Sequence, residues 1–474
     1  MNRERQVLII GLDAADHLLI EDWVAQGQLP VFAKLLGHGA YGTLQSTAEI
    51  FSGSAWISIA TGCGPGRCGV YSRYQLSPGT YNVVRTKAAD CEVKPFWTSF
   101  KGPVIAVDVP KAPLVSHTDG VQIVEWGAYD HYSEFSTHPP GLAKQILEEF
   151  GTHPFLANDF EVALHGRRDF ATLRTLMIEG IKMKQRLSVA LMKRIQPRLM
   201  FSVFGETHAA GHAFWRFRDP RHPRYDPANP YATVLRDVYC AVDDAIGELM
   251  THLPSDCIVV VLSSQGFCLD SMADENFLCE ILTRTKASIP KSAMTKYTAY
   301  IPGMILDMAR SKAFCLPTDL QGYIRVNLKG REPSGSVFPG DYDEVCRELE
   351  GELLALRHRG HGAPVVKQVV RVRDRMNGAF LGGLPDLSVQ WNSDYVVSEV
   401  ESPGCGRIAR APDLSTGGGN HRGVGFVLVY GSGVRQERFT ASAFDIAPTV
   451  AAWLGEKSRA EWEGRILTIA GLRD

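Results

Sequence analysis

A series of short apolar runs constrains the fold of this chain more than any other feature of its sequence. Each run is rich in β-branched residues, has the length of one strand and is bounded by turn residues. Because polar residues do not alternate with apolar ones, the runs predict strands buried on both faces, as in a parallel sheet. The runs are QVLIIGL, GPVIAVDV, GVQIVEW, RLMFSVF, CIVVVLSS and VGFVLVYGSG.

Segments with helical periodicity alternate with these runs. Their apolar residues recur at the spacing of one helix face. They are DHLLIEDWVAQGQ, LPVFAKLLGHG, TLMIEGIKMKQRLSVALMKRI, LRDVYCAVDDAIGELMTHL and SAFDIAPTVAAWLG, the last with a proline in or near its first turn. The alternation predicts an α/β fold, with a mainly parallel sheet and helices on both faces.

The alternation stops between about residues 280 and 410, where Pro, Gly and charged residues are frequent. GYIRVNLKGREPSG and PVVKQVVRV predict strands of a mixed subregion, and the main sheet resumes near Val424. We therefore predict a catalytic core formed by residues 1–280 and 411–474, with an inserted cap for substrate recognition at residues 281–410.

Charge and composition exclude several classes of function. The net charge of -2 offers no basic surface for nucleic acid. The first apolar run is too short to span a membrane and is followed at once by an Asp, so we expect a cytoplasmic protein without a membrane partner. The ten cysteines are scattered singly, without a CxxC, and we expect free thiols.

Polar residues of chemical interest follow or precede several of the predicted strands. In an open α/β sheet, functional groups gather beyond the carboxyl ends of the strands. These residues are Asp13 after the first run, Glu206, His208 and His212 after RLMFSVF, Ser263, Ser264 and Gln265 in and after CIVVVLSS, and His421 just before VGFVLVYGSG.

Three of these residues are histidines, and two of them lie four apart. Neutral imidazoles suit zinc, and three of them leave a coordination position open for water or substrate. Alternatively, each histidine is an ordinary core or surface residue. Spacing alone leaves both interpretations open.

A hydroxyl-rich stretch, STAEIFSGSAWISIATGCGPGRCG, spans residues 46–69. SAWISIATG predicts a helix with Ser52 or Ser54 at its amino-terminal edge, where free N–H groups favour an anion. A serine in this position is either a helix N-cap or a nucleophile activated by a metal.

The ordered set of motifs resembles the alkaline phosphatase superfamily, on the branch of type I phosphodiesterases and nucleotide pyrophosphatases. The resemblance rests on VLIIGLDAAD, LPVFAKLLGHGAYGTLQST, FSGSAWISIATGCGPGRCGV, THAAGHAFW, SSQG, GGGNHRGVGFVLVYGSGV and AFDIAPTVAAWLG. It implies two metal ions, usually zinc, at the carboxyl end of a parallel sheet.

The resemblance also implies roles for individual residues. The nucleophile falls on Ser52, and the metal ligands fall on Asp13, His208, His212 and His421. The implied mechanism is attack of the serine on phosphorus, followed by hydrolysis of the phospho-serine by metal-activated water.

The chain departs from the family pattern on one side of this site. Ser264 and Gln265 stand where the family has an Asp and a His, His208 replaces an Asp, and Cys68 replaces a frequent His. Neutral oxygens are weak ligands for zinc. We therefore expect one zinc ion and no firm site for a second, with Glu206 and Gln265 as possible auxiliary residues.

The leading prediction is a metal-dependent hydrolase of a phosphodiester, pyrophosphate or related ester, acting on a small phosphorylated or sulfated metabolite such as a nucleotide. Lys329 and Arg331 of the cap are candidates for substrate binding, although a solvated turn is the simpler explanation of both residues. The alternatives are a transferase or lyase acting on an unusual sulfate, sulfamate or phosphonate ester, and a non-catalytic protein that binds such a ligand.

Overall fold

The computed structural model describes residues 5–116, 119–157, 169–271, 273–292, 298–318, 320–409 and 417–469. The strands in chain order are β1 (Val7–Leu12), β2 (Ala40–Gln45), β3 (Tyr74–Leu76), β4 (Val83–Arg85), β5 (Val104–Val107), β6 (Val121–Val124), β7 (Ser136–His138), β8 (Leu199–Phe204), β9 (Ile258–Ser263), β10 (Gly266–Leu269), β11 (Ala313–Leu316), β12 (Gly322–Val326), β13 (Arg357–His358), β14 (Val366–Arg371), β15 (Leu387–Trp391), β16 (Glu399–Ser402), β17 (Gly406–Ala409), β18 (Gly419–Arg422), β19 (Val424–Gly431) and β20 (Arg438–Ser442).

The α-helices in chain order are α1 (His17–Ala25), α2 (Pro30–His38), α3 (Ala55–Thr61), α4 (Pro65–Cys68), α5 (Leu142–Phe150), α6 (Phe170–Ile195), α7 (Glu206–Phe214), α8 (Val234–Thr251), α9 (Glu275–Arg284), α10 (Pro302–Ile305), α11 (Tyr342–Leu354) and α12 (Ile446–Trp453).

The central sheet of the described chain has nine strands in the order β20-β2-β19-β9-β1-β8-β5-β6-β7. β9, β1, β8, β5 and β6 are parallel to one another. β19 lies antiparallel between β2 and β9, and β7 is antiparallel at the edge. All the apolar runs of the sequence lie in this sheet, so the predicted α/β fold with a mainly parallel sheet is confirmed.

Successive residues of the central strands pack on opposite faces of the sheet. In β1, Leu8 and Ile10 point into an apolar core with α1, α2, α6, α7 and α8. Val7 and Ile9 point into a second core with α3 and α12. Both faces are therefore covered, which is the physical reason that these strands contain almost no polar residues.

The insertion has a core of its own, built around the antiparallel sheet β11-β12-β15-β14. This cap is bonded to the segment that precedes Ser52. Ser388 Oγ donates to the carbonyl of Ile50 at 2.9 Å, and Gln390 Nε2 donates to that of Glu49 at 2.7 Å. The cap is thus hydrogen-bonded to the segment that leads into Ser52, one of the polar residues of interest.

The apolar residues of the insertion begin with Phe277 in α9, which packs with the cap although the predicted insertion starts at residue 281. The other predicted boundary, at residue 410, falls outside the described residues. The division into residues 1–280, 281–410 and 411–474 therefore stays a prediction.

Two further findings concern membrane-spanning helices and cysteines. No helix in the described ranges combines the length and the apolar character that a membrane span requires. The ten cysteines are free thiols, eight of them buried.

Candidate metal centre

The three histidines come together from two different parts of the chain. His208 and His212 are one turn apart on α7, which begins right after β8, so both imidazoles lie on the same helix face. His421 lies in β18, opposite Phe267 of β10. Because β19 runs antiparallel to β9, the residues before β19 lie at the same sheet edge as the residues after β8.

Close packing of glycines brings β18 against α7. A Cβ at Gly211 would lie 2.5 Å from the ring of Phe267, and a Cβ at Gly419 would lie 2.3 Å from the carbonyl oxygen of Gly211. Any larger side chain at either position would push the strand away from the helix. The glycine-rich segment before His421 thus allows β18 to pack closely against α7.

The three imidazoles form one cluster. Their ring centroids are 4.6 to 4.9 Å apart, and one nitrogen from each ring lies within 4.8 Å of the other two. The Nε2 atoms of His208 and His212 are 3.0 Å apart. Among the described residues, this is the one group of three or more His, Cys, Asp or Glu side chains with the geometry to hold a metal ion.

Hydrogen bonds on the outer side of the rings fix which nitrogen faces inward. The Nδ1 of His208 lies 2.8 Å from Asp13 Oδ2, and the Nδ1 of His212 lies 3.1 Å from the carbonyl of Gly419. Both partners are acceptors, so each Nδ1 carries the proton and donates it outward. The two Nε2 lone pairs then face each other, which is repulsive unless a cation or a proton lies between them.

The protonation states of two of the three histidines agree with a ligand role. Burial lowers the pKa of His212 to about 3, and the neighbouring His208 acts in the same direction. Burial, His208 and His212 together hold the pKa of His421 well below its ordinary value. Burial would lower the pKa of His208 too, but the Asp13 carboxylate outweighs burial and the net pKa is raised. His212 and His421 are therefore neutral at neutral pH, the form that binds metals.

Asp13 lies behind His208 and outside the group of three. One carboxylate oxygen accepts from His208, and the other accepts from the indole N–H of Trp56 at 2.6 Å. Gly11 makes this second bond possible, since a Cβ there would lie 2.7 Å from the Trp56 ring. The predicted role of Asp13 as a metal ligand stays a prediction, and these contacts suit a carboxylate that orients an imidazole.

Ser52 begins a short 3₁₀ turn that runs directly into α3. Its Oγ is buried and has no hydrogen-bond partner among the described residues. The Oγ of Ser54, the other candidate, lies 2.8 Å from Thr47 Oγ1 and 3.0 Å from the carbonyl oxygen of Phe51, so it is already hydrogen-bonded. Trp56, one turn after Ser52, joins the helix to Asp13 and through it to His208. The uncommitted hydroxyl is thus that of Ser52.

The predicted auxiliary residues lie in different places. Glu206 is fully buried and faces His153, with 3.1 Å between Oε1 and Nε2. Ser264 Oγ and Gln265 Oε1 lie at the carboxyl end of β9, buried and without a hydrogen-bond partner in the described structure. The sequence analysis grouped Glu206 with His208, His212 and His421. In the structure its carboxylate contacts His153 instead.

The two candidates for substrate binding are held within the cap. Arg331 donates two hydrogen bonds to Asp386 and others to Glu332, and Lys329 lies 4.3 Å above the ring of Phe338. Their part in binding substrate stays a prediction that these contacts do not support.

Sequence reasoning missed residues in the loops after β5 and β6. Lys111 Nζ donates to the carbonyl of Gly53 at 2.8 Å, and the Tyr129 ring lies 4.7 Å from that of His208. Burial would raise the pKa of Asp130, but the charges of His208 and Lys111 lower it. The signal was available, because β5 and β6 were predicted strands of the same sheet and their carboxyl ends lie at the same edge.

Comparisons with known proteins place this chain in a family. The model of the family described as type I phosphodiesterase / nucleotide pyrophosphatase matches residues 7–421. The solved structure of alkaline phosphatase PafA is similar over 99% of both chains, with 13% identity and a TM-score of 0.58. Murine ectonucleotide pyrophosphatase / phosphodiesterase 5 is similar over 98% of both chains, with 13% identity and a TM-score of 0.50.

At such identities the two structures bear on the fold alone, and no curated protein matches the sequence. The family model covers most of the chain and confirms the family resemblance of the motifs. The chain therefore belongs to the type I phosphodiesterase / nucleotide pyrophosphatase family.

Proposed function

We propose that the protein is a zinc-dependent hydrolase of a phosphodiester or pyrophosphate, with Ser52 as its nucleophile. His208, His212 and His421 would hold the ion. Family membership supports the reaction class, and the metal, the nucleophile and the substrate are the proposed part.

One observation carries the proposal: two buried imidazole nitrogens face each other at 3.0 Å with both outer nitrogens committed to acceptors. Zinc–nitrogen bonds of about 2.0–2.1 Å in a tetrahedral site place two ligand nitrogens about 3.3 Å apart. The rings therefore need to move by only a few tenths of an ångström to share an ion.

The chain's own residues support the chemistry around this ion. Asp13 keeps the His208 imidazole in one tautomer, and the Gly419 carbonyl does so for His212. When bound, zinc would act as a Lewis acid that stabilises negative charge on the reacting phosphoryl group. Ser52 Oγ forms a bond to phosphorus while the bond from phosphorus to the leaving oxygen breaks, and the hydroxyl proton ends on the departing oxygen. Water then cleaves the phospho-serine and regenerates the hydroxyl.

The test compares Ser52→Ala with Ser54→Ala on bis(p-nitrophenyl) phosphate. We expect about one zinc per chain in the purified protein. Loss of the nucleophile should lower kcat by at least about 10³-fold. Ser54→Ala removes a buried hydroxyl two residues away and should retain turnover once thermal unfolding confirms that it is folded. Equal activity of Ser52→Ala and the wild type would exclude the proposed nucleophile.

The substrate panel should include nucleotides, since the similar murine structure is a complex with AMP. The unpartnered oxygens of Ser264 and Gln265 support a second candidate function. An acceptor oxygen without a donor suits a substrate that brings an N–H group, such as a sulfamate. Aryl sulfate, sulfamate and phosphonate esters therefore belong in the same assay. Zinc binding without turnover of any ester would leave the non-catalytic alternative.

A further inference from the structure

The loop after β5 places a positive charge beside the turn that carries Ser52. Lys111 Nζ donates a hydrogen bond of 2.8 Å to the carbonyl of Gly53, the residue after the candidate nucleophile. The same ammonium lies 4.6 Å above the Tyr132 ring. The two contacts hold the charge of a long side chain in one place.

This charge also acts on the histidine cluster. After burial and the two other histidines, Lys111 is a further cause of the low pKa of His421. It opposes the rise in the pKa of His208 and contributes to the lowered pKa of Asp130. The hydrogen bond to the Gly53 carbonyl is the observation that places this ammonium beside the turn carrying Ser52.

The backbone at Lys111 is in an unfavourable conformation. Its φ is +62°, in the left-handed region that a residue with a Cβ rarely adopts and that glycine adopts freely. Strained residues concentrate at functional sites, where the surrounding structure keeps them in place. A lysine at a position that suits glycine is consistent with a requirement for its ammonium group.

The other half of the site does not fit a second zinc ion. Asp13 has both oxygens committed to Trp56 and His208. Ser264 and Gln265 offer only neutral oxygens, which bind zinc weakly. The Ser52 side of the site therefore lacks the positive charge that a second ion would bring to an anionic substrate.

We propose that Lys111 supplies this missing charge: its Nζ binds an anionic oxygen of the tetrahedral phosphoryl group while Ser52 attacks the central atom. The inference rests on the proposed function of the site and names the group that takes the place of the second cation. When the substrate binds, the ammonium either leaves the Gly53 carbonyl for the substrate oxygen or donates to both oxygens.

A purely structural role is the alternative, in which Lys111 only holds the Ser52 turn through the Gly53 carbonyl. Two variants separate the two roles. Lys111→Gln keeps an N–H donor and loses the charge, whereas Lys111→Arg keeps both. Lys101→Ala is the matched control, because Lys101 is an exposed lysine at the opposite end of the same strand.

The experiment measures inorganic phosphate binding by calorimetry, kcat/KM on bis(p-nitrophenyl) phosphate and zinc content. A hydrogen bond to a charged group predicts that Lys111→Ala and Lys111→Gln bind phosphate about tenfold to a hundredfold more weakly at unchanged zinc content. Lys111→Arg should retain affinity within about tenfold of the wild type. Lys101→Ala should match the wild type in all measurements.

Phosphate affinity in Lys111→Gln equal to that of the wild type would overturn the inference, as would a wild-type protein that does not bind phosphate. A wild type that binds phosphate through Lys111 but hydrolyses no diester would refute the proposed function, and only the contact between Lys111 and the phosphoryl group would stand. Thermal unfolding of each variant confirms that the loss is not one of folding.

Discussion

The two halves of the site meet at one sheet edge but differ in their chemistry. On one side, three imidazoles converge within 4.8 Å, and two of them are oriented by hydrogen bonds to Asp13 and Gly419. On the other side, Ser264 and Gln265 offer neutral oxygens without partners in the described structure, and Lys111 brings a fixed charge to Gly53.

The difference shows what makes a group of side chains a metal site. A ligand must present a lone pair, and outer hydrogen bonds must keep that lone pair pointed at the ion. In the histidine half, His208 and His212 meet both conditions. The serine and glutamine half presents only neutral oxygens, which bind zinc weakly, and these oxygens have no hydrogen bonds within the described structure to orient them. The ammonium of a lysine is therefore the simpler source of positive charge there.

Removal of one imidazole should have the largest effect on this contrast. His212→Ala leaves two ligands, and the affinity for zinc should fall by about 3 kcal/mol, which is more than a hundredfold. Zinc per chain by mass spectrometry after dialysis measures the loss. His252→Ala is the control, because His252 directly follows α8 and pairs with Glu248. Undiminished zinc in His212→Ala would show that the ion lies elsewhere.

Restoring the family residues should convert the second half into a metal site. The double variant Ser264→Asp, Gln265→His places a carboxylate and an imidazole at two buried positions that follow β9. Zinc at about 100 times the dissociation constant should stabilise that variant by about 2.7 kcal/mol beyond the effect of the first ion. Thermal unfolding with and without zinc measures this difference. An equal zinc effect on variant and wild type would show that Asp13 and its neighbours cannot complete the site.

Asp13→Asn tests whether the carboxylate orients His208 or binds the ion itself. The amide can present its N–H₂ to Nδ1 and favour the wrong tautomer, so zinc affinity should fall about 10- to 100-fold. A competition titration with a chelating dye measures the affinity. A loss as large as that of His212→Ala would instead make Asp13 a direct ligand.

The smallest expected effect concerns the strained loop. Lys111→Gly removes the Cβ from a left-handed residue and should raise the free energy of unfolding by about 1 kcal/mol relative to Lys111→Ala. Urea unfolding of the two zinc-loaded variants measures the difference. Equal stabilities would show that the loop relaxes and stores no strain.

Much of the architecture was predictable from the sequence. Buried parallel strands must be apolar on both faces, so runs such as those of β1, β8 and β9 were recognisable from composition alone. The i, i+4 spacing of His208 and His212 places both rings on one helix face. The order of the motifs predicted the family, which the family model confirms.

Other features depended on contacts between distant parts of the chain. His421 joins the cluster because β19 runs antiparallel to β9, and strand direction does not follow from an apolar run. The positions of Asp13 behind His208 and of Glu206 against His153 depend on side-chain directions. Lys111 went unnoticed because its partner, Gly53, lies on a separate element.

By itself the sequence determined the layers of the fold, the family and the residue types available for chemistry, because burial, helical spacing and motif order are local properties of the chain. Only the tertiary structure decided which of these residues face one another. That outcome depends on strand order, on the close packing allowed by Gly211 and Gly419, and on hydrogen bonds between residues hundreds of positions apart.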